Sequence, residues 1–478
     1  MKDTKLYQVL SNIDKYEQNR CRKYIASPYF NRSEELVMLF DYLTSHIHRE
    51  KHTEISKLEI WQLIQRERAY DDARLRKYLS DLFKLVEDFL AQEAFEADEL
   101  GKTTYLLSAI RGRKLDILYQ ATMRKADLAS EKVVQRPAKY YYQKYEIEND
   151  TFYLLELDIH RDKQDNLEQI NSSLDQFYFA EKMRLFISEK TRESGSRDLS
   201  LIPEIKRYLQ ERDIENYSFI VQLYYQTLLL YTEEEKNTHF QKLKQLLYEL
   251  SPEVPTDEAH GFYIAAVSYC IDEISSGKVD FYKYLMELYK DMIAKNMIVK
   301  DNDLSPWTFK NVVTAAVALK EFDWLENFIS TYSQYLPDDF RDNAVSYNLA
   351  RINFEQKKYD KVISLLREVE YDDISYNLNS KTMLLMTYYE TNELDALDYI
   401  LESFRVFLNR HKELPKQRQA YFKNLIKFTK KLTKIIPNDE KAVQKIKQEI
   451  EGIPSFKVRW LDEKIKELEN DLQSKSLS

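Results

Sequence analysis

The sequence predicts an all-α protein, and three observations carry that prediction. Nearly every segment repeats apolar residues at intervals of three and four, while sustained period-two alternation is missing. Only six glycines occur in 478 residues, at 101, 112, 195, 261, 277 and 452, where average usage would place roughly thirty. Ten prolines are equally sparse, so few segments are loops, and glycine-dependent turns and phosphate loops are nearly excluded.

Residues 1–100 read as an N-terminal helical domain with short helices at about Leu6 to Ala26, Ser33 to Arg49, Ser56 to Arg66 and Asp71 to Gln92. Pro28 in "SPYFNR" stops the first helix, and an Asn31 or Ser33 side chain can cap the second. Tyr29 and Phe30 are expected to be buried wedges between helices. In "AYDDARLRKYLSDLFKLVEDFL", Asp71 and Asp72 supply the N-terminal cap, and Leu75, Leu79, Leu82 and Val86 form one stripe. Residues 101–198 continue as helices leading onward, and "TRESGSRD", Thr191 to Asp198, is the best linker by composition.

Beyond that linker, over 199–435, a period appears. "EFDWLENFISTYSQYLP" aligns under "KYDKVISLLREVEYDD", with Phe322, Leu325, Ile329 and Tyr332 on Tyr359, Val362, Leu366 and Val369. Leu394, Leu397, Leu401 and Phe404 take the same places, as do Phe240, Leu243, Leu247 and Leu250 upstream, and Phe281, Tyr284 and Leu288 between them. The first positions, 240, 281, 322, 359 and 394, recur at intervals of about 35–41 residues. A helix precedes each copy, so the pattern predicts stacked antiparallel helix pairs. Residues 436–478 are expected to supply C-terminal capping helices, with Trp460, Leu461, Ile465 and Leu468 as an apolar stripe, and a frayed tail.

The segment from Asn343 to Glu370, with Leu349 and Ala350 in its first helix and Tyr359 opening its second, resembles the tetratricopeptide repeat family, and Pro337 closes the preceding unit where that family places a proline. Val362, Leu397 and Leu325 replace the family's alanine and Ser346 its early tryptophan, so the likeness is to a degenerate relative, over about Tyr217 to Asn409. The resemblance implies an α-solenoid whose first helices line a concave face that holds extended peptides. Asn311 and Asn348 stand at the same point of consecutive units. The resemblance implies that such asparagines pair with a peptide backbone, helped by nearby basic residues, here Lys310 and Arg351; Met383 interrupts the row in the next unit.

Signatures of chemistry are missing. "LGKTT", Leu100 to Thr104, ends like a phosphate-binding loop, but Glu96 stands in place of the first glycine. In "HIHREKH", His48 and His52 share a helical face while His46 points away, which reads as a solvated helix end and not as a metal site. No GxSxG, HExxH or kinase set occurs. Neither catalytic residues, a cofactor nor a metal is expected. Cys21 and Cys270 lie far apart without framework spacing and read as reduced thiols, and the N-terminus "MKDTKLYQVLSNIDKYEQNRC" has no apolar signal core. With no apolar run long enough to span a membrane, the expected location is cytoplasmic.

The net charge of −9 disfavours a general nucleic-acid binder. Charge is nonetheless concentrated: Arg410 to Lys434 holds nine basic residues and one glutamate. There Tyr421, Leu425, Phe428, Leu432 and Ile435 form a buried stripe, and Lys423, Lys427, Lys430 and Lys434 form a row on the other side. These patterns together predict a non-enzymatic protein-binding scaffold that holds an extended peptide or an acidic protein partner. The alternative is a peptide-sensing regulator with a DNA-binding N-terminal domain; sixteen basic against nineteen acidic residues over 1–100 weigh against it.

Overall fold

The computed structural model describes residues 4–48, 56–66, 68–156, 166–190, 201–367, 374–435, 439–453, 456 and 458–476. Among them every extended element is helical, save an isolated antiparallel bridge between Lys300 and Asp303. Two compact units share the chain, one from Met1–Lys236 with Leu250–Pro255 and the other from Asn237–Glu249 with Thr256–Ser478. The linker expected at 191–198 lies outside the described residues, as do His52 and Val369.

In the first unit, α1 (Lys5–Asn12), α2 (Lys15–Ile25), α3 (Glu34–Ile47), α4 (Lys57–Ile64) and α5 (Asp72–Ala97) share one core built on Leu10, Cys21, Leu39, Phe40, Ile60, Leu75, Leu82 and Val86. The single helix expected over Leu6 to Ala26 is broken at Asp14. That carboxylate accepts from Glu17 N at 2.8 Å while the Glu17 side chain accepts from Asp14 N at 2.9 Å, a reciprocal cap that starts a new helix. Asp71 caps α5 as expected, accepting from Arg74 N at 3.0 Å. The wedge role of Tyr29 and Phe30 is overturned: they are 88% and 43% exposed, because a turn closed by Phe30 N and Asn31 N on Ser27 O holds both at the surface, with Phe30 stacked on Tyr24 at 4.1 Å and Tyr29 outside it. His46 is buried, and the His48 ring is held by Gln18 at 2.7 Å.

Next come α6 (Glu99–Arg113), α7 (Tyr119–Lys132), α8 (Ala138–Glu156), α9 (Leu167–Lys190), α10 (Ile202–Gln210) and α11 (Phe219–Thr232). "LGKTT" sits inside α6, whose N-terminus is capped by Asp98 accepting from Gly101 N at 2.8 Å. A Cβ at Gly101 would stand 2.8 Å from the Asp98 carboxyl, so glycine is what allows the cap to seat this closely. In α11 the apolar residues run right round the helix, and it is buried on nearly all sides.

The second unit continues with α12 (Lys236–Tyr248), α13 (Thr256–Ser275), α14 (Phe281–Ala294), α15 (Pro306–Ala318), α16 (Phe322–Tyr332), α17 (Asp338–Glu355), α18 (Tyr359–Arg367), α19 (Ile374–Glu390) and α20 (Leu394–Arg410). It closes with α21 (Lys416–Leu432), α22 (Glu440–Glu451) and α23 (Arg459–Ser476). Neighbours pack in pairs, α13 with α14, α15 with α16, α17 with α18 and α19 with α20, and α17 also touches both α15 and α19. This arrangement is compatible with a helical-repeat fold. Four second helices begin on the aligned positions Phe281, Phe322, Tyr359 and Leu394, and Leu325, Ile329, Val362, Leu366, Leu397 and Leu401 are all buried.

The turns between paired helices repeat as well. Gly277, Lys320, Lys357 and Asn392 have φ of 98°, 59°, 58° and 56°. The residue after each returns its N–H to the carbonyl five positions earlier: Lys278 to Glu273, Glu321 to Ala316, Lys358 to Asn353 and Glu393 to Tyr388, at 2.8–3.0 Å. These are Schellman caps, in which the last carbonyls of the first helix find donors. Left-handed backbone costs an L-residue about 1–2 kcal/mol, and three of the four turns carry that cost on lysine or asparagine. Scarce glycine therefore did not mean an absence of left-handed turns.

At the C-terminal end, Trp460 Nε1 donates to Glu390 Oε1 at 2.6 Å and Lys464 Nζ to Glu390 Oε2 at 2.9 Å, tying α23 to α19. Trp460, Leu461 and Ile465 are buried in the same core as Leu425 and Phe428 of α21.

Candidate functional site

The first helices α15, α17 and α19 enclose a cavity of about 520 Å³, within the usual range for a ligand site. Pro306 opens α15 at its first turn, where a missing N–H costs nothing, and steps of three and four then set Trp307, Lys310 and Thr314 on one face. From α17 come Phe340, Tyr347, Asn348 and Arg351, and from α19 Tyr376 and Asn379. The lining therefore holds four aromatic rings and two cations, with no carboxylate among them.

Geometry within the cavity is specific. Arg351 Nη1 donates to Thr314 Oγ1 at 3.1 Å, a bond between residues 37 apart that joins equivalent points of two adjacent pairs. Tyr347 and Tyr376 meet edge to face at 5.4 Å. Lys310 Nζ lies 5.5 Å from the centre of the Trp307 ring, which is itself 73% exposed at the mouth. Burial raises the pKa of the Tyr347 hydroxyl, and Arg351 opposes that rise, so the phenol stays a neutral donor.

Of the four residues expected here, Lys310, Asn348 and Arg351 line the cavity and Asn311 does not. Asn311 is half-buried and hydrogen-bonds the Tyr289 hydroxyl of α14, whose pKa burial raises and this contact lowers in part. Asn348 is 2% exposed and spends an amide hydrogen on Ala344 O at 2.8 Å. The two asparagines thus sit at helix-packing positions, where an amide satisfies buried neighbours first; a free row of amides is not what the fold presents. Trp307, Thr314, Phe340, Tyr347, Tyr376 and Asn379 were missed by sequence. The signal was available in the step itself: 37 residues carry Lys310 to Tyr347 and Thr314 to Arg351, and 35 more carry Ala344 to Asn379.

The basic row lies on α21 and just past its end. Lys423, Lys427, Lys430 and Lys434 are all exposed, while Leu425, Phe428 and Leu432 are buried beneath them. Lys427 meets Glu449 at 3.4 Å beside the firmer Lys431–Glu449 pair, and Lys430 acts by its charge on the Glu402 carboxyl.

No described helix is long and apolar enough to cross a membrane. No set of three or more His, Cys, Asp or Glu among the described residues could hold a metal ion. Cys21 and Cys270 are buried and unlinked, and burial pushes both thiols up to about 12. By its fold, the chain is an all-α protein of packed helix pairs. Comparison with family models, with curated proteins and with solved structures returned no match.

Proposed function

We propose that this chain is a non-enzymatic binding scaffold of tetratricopeptide-like helical repeats, and that the cavity of α15, α17 and α19 holds an acidic peptide segment carrying an apolar or aromatic side chain. The observation that carries the reading is the lining: two cations without a carboxylate, set among four aromatic rings on the first helices of three consecutive pairs. An acidic peptide would find charge complement in Lys310 and Arg351, backbone partners in Thr314 and Asn379, and apolar cover in Trp307, Phe340 and Tyr376. The exposed lysines of α21 add a second positive surface for the same partner class.

Selection of peptides from a displayed random library on the full chain tests this. Enriched sequences should combine Asp or Glu with an aromatic or large apolar residue. Synthetic versions should shift the fluorescence of Trp307, and Lys310→Glu with Arg351→Glu should weaken binding at least about tenfold, or 1.4 kcal/mol, at unchanged helicity. Enrichment of basic or uncharged peptides, or binding indifferent to both reversals, would overturn the reading.

A further inference from the structure

A separate cavity of about 500 Å³ lies wholly within the first unit, between α6 and α8. Helical spacing places Tyr105, Ser108 and Arg111 on the facing side of α6, and Tyr142, Glu146 and Asp150 on that of α8. Tyr145 and Asn149 complete this part of the lining. Tyr105 is 68% exposed and Tyr142 40%, so both rings stand open to a ligand.

The charges here do not balance. Lys139 is held by Asp98 at 2.7 Å and Arg111 by Asp150 at 2.7 Å, so both cations are already neutralised. Arg111 is further fixed over the Tyr153 ring at 5.3 Å. Glu146 is left over. It is half-buried, pairs with no cation among the described residues, and takes its hydrogen bond from the Tyr142 hydroxyl. Burial raises its pKa, the Tyr142 contact lowers it and Asp150 adds to the rise, which is the behaviour of a carboxylate without its counter-ion. Around it the tyrosines cluster, Tyr142 lying 6.2 Å from Tyr145 and 5.1 Å from Phe177 of α9 between ring centres.

A hard metal ion would require several oxygen ligands and would gain nothing from ring faces. An organic cation uses both features, since a carboxylate supplies the counter-charge while ring faces attract the ammonium and cover its methylenes. We propose that this groove binds the ammonium group of an alkyl amine, with Glu146 as counter-ion and Tyr105, Tyr142 and Tyr145 as its aromatic walls. Ser108 and Asn149 can accept the remaining ammonium hydrogens. A free diamine and a lysine side chain of a polypeptide carry the same chemistry, and it is this shared group that the groove recognises.

Calorimetry on the full chain distinguishes the sources, using cadaverine, a capped Gly-Lys-Gly peptide and, as a neutral control, 1,5-pentanediol. Saturable one-site binding of either amine, with none of the diol, supports the proposal. Cadaverine alone would assign the site to free amines, and the peptide alone to protein lysines. Glu146→Gln should weaken binding at least about tenfold and Tyr105→Ala severalfold. Glu146→Gln removes a charge that has no counter-ion among the described residues and keeps an acceptor for the Tyr142 hydroxyl, so its melting temperature should equal or exceed that of the parent, and lost binding cannot then be ascribed to unfolding. If neither amine saturates by about 10 mM, a concentration at which so weak a contact would amount to less than 3 kcal/mol, or if Glu146→Gln binds like the parent, the proposal is overturned.

Discussion

Glu390 gives the sharpest test of how the C-terminal end is held. Its two oxygens receive Trp460 Nε1 at 2.6 Å and Lys464 Nζ at 2.9 Å, with side-chain exposures of 15% for Glu390 and 12% for Lys464. In Glu390→Ala the indole N–H loses its acceptor, which costs about 1–3 kcal/mol for a buried donor. The ammonium loses a half-enclosed partner; complete loss of a buried pair costs about 3–5 kcal/mol, but Lys464 retains Glu467 at 2.6 Å, on a largely exposed side. A net loss of about 2–3 kcal/mol follows. Glu390→Gln keeps an acceptor for Trp460 and should cost only about 1 kcal/mol. Burial lowers the Lys464 pKa, but the bonds to Glu467 and Glu390 outweigh it, leaving the value raised. Its stabilisation is therefore fully present below the unfolded pKa near 10.4 and is lost only as pH rises through the folded value, so pH 7 reads it in full. A chain built of many helix pairs need not unfold in one step, so the assay is native-state hydrogen exchange of the α23 amides, not a global melt. A loss of protection there below about 0.5 kcal/mol in Glu390→Ala, or equal losses in the Ala and Gln variants, would refute the reasoning.

Two further outcomes follow from packing and charge. Leu366 is 4% exposed beside Ala350, Val362 and Met383, so Leu366→Ala should cost about 2–5 kcal/mol in urea unfolding, whereas the exposed Glu355 and Lys358 should each tolerate Ala within about 0.5 kcal/mol; equal effects at both kinds of site would mean that the repeat alignment is wrong. Changing Lys423, Lys427, Lys430 and Lys434 to Glu should leave circular-dichroism helicity nearly intact, since all four are exposed and the Lys427–Glu449 pair is a surface one, while retention on immobilised poly-glutamate falls, most visibly at low salt; unchanged retention would assign the row to solubility alone.

The helices were legible because their signal is local. A stripe at three- and four-residue spacing exists whatever the helix packs against, and the repeat step therefore located the starts of α14, α16, α18 and α20. What failed depended on short-range geometry with two equally good outcomes. Adjacent Tyr29 and Phe30 were both read as wedges, but the turn at Ser27 keeps both at the surface, Phe30 with one face on Tyr24 and Tyr29 outside it. At Asp14 a reciprocal cap competed with helix continuation and won, although the apolar spacing runs through it. In the cavity, Lys310 and Arg351 were found because charge stands out on a helix face, whereas Tyr347 and Tyr376 are of the type that usually fills cores. Asn311 and Asn348 share a repeat position, but that position lies close to the packing: Asn311 is turned to Tyr289, and Asn348, though it lines the cavity, has given one amide hydrogen to Ala344 O.

The uniform turns bear on how such a chain tolerates change in length. Three residues separate α15 from α16, α17 from α18 and α19 from α20, whereas the segments joining one pair to the next differ, with eleven residues between α14 and α15 and five between α20 and α21. The α13–α14 turn is longer, at five residues, so the three-residue turn belongs to the last three of these pairs. A residue inserted after Lys357 would break the bond from Lys358 N to Asn353 O and turn Tyr359, Val362 and Leu366 about 100° away from their seam. The same insertion ahead of Pro306 or Pro415, where the chain enters a new first helix, leaves every such register untouched. Length can therefore be edited at the junctions between pairs while the positions of Trp307, Arg351 and Tyr376 within their own helices are conserved by geometry alone.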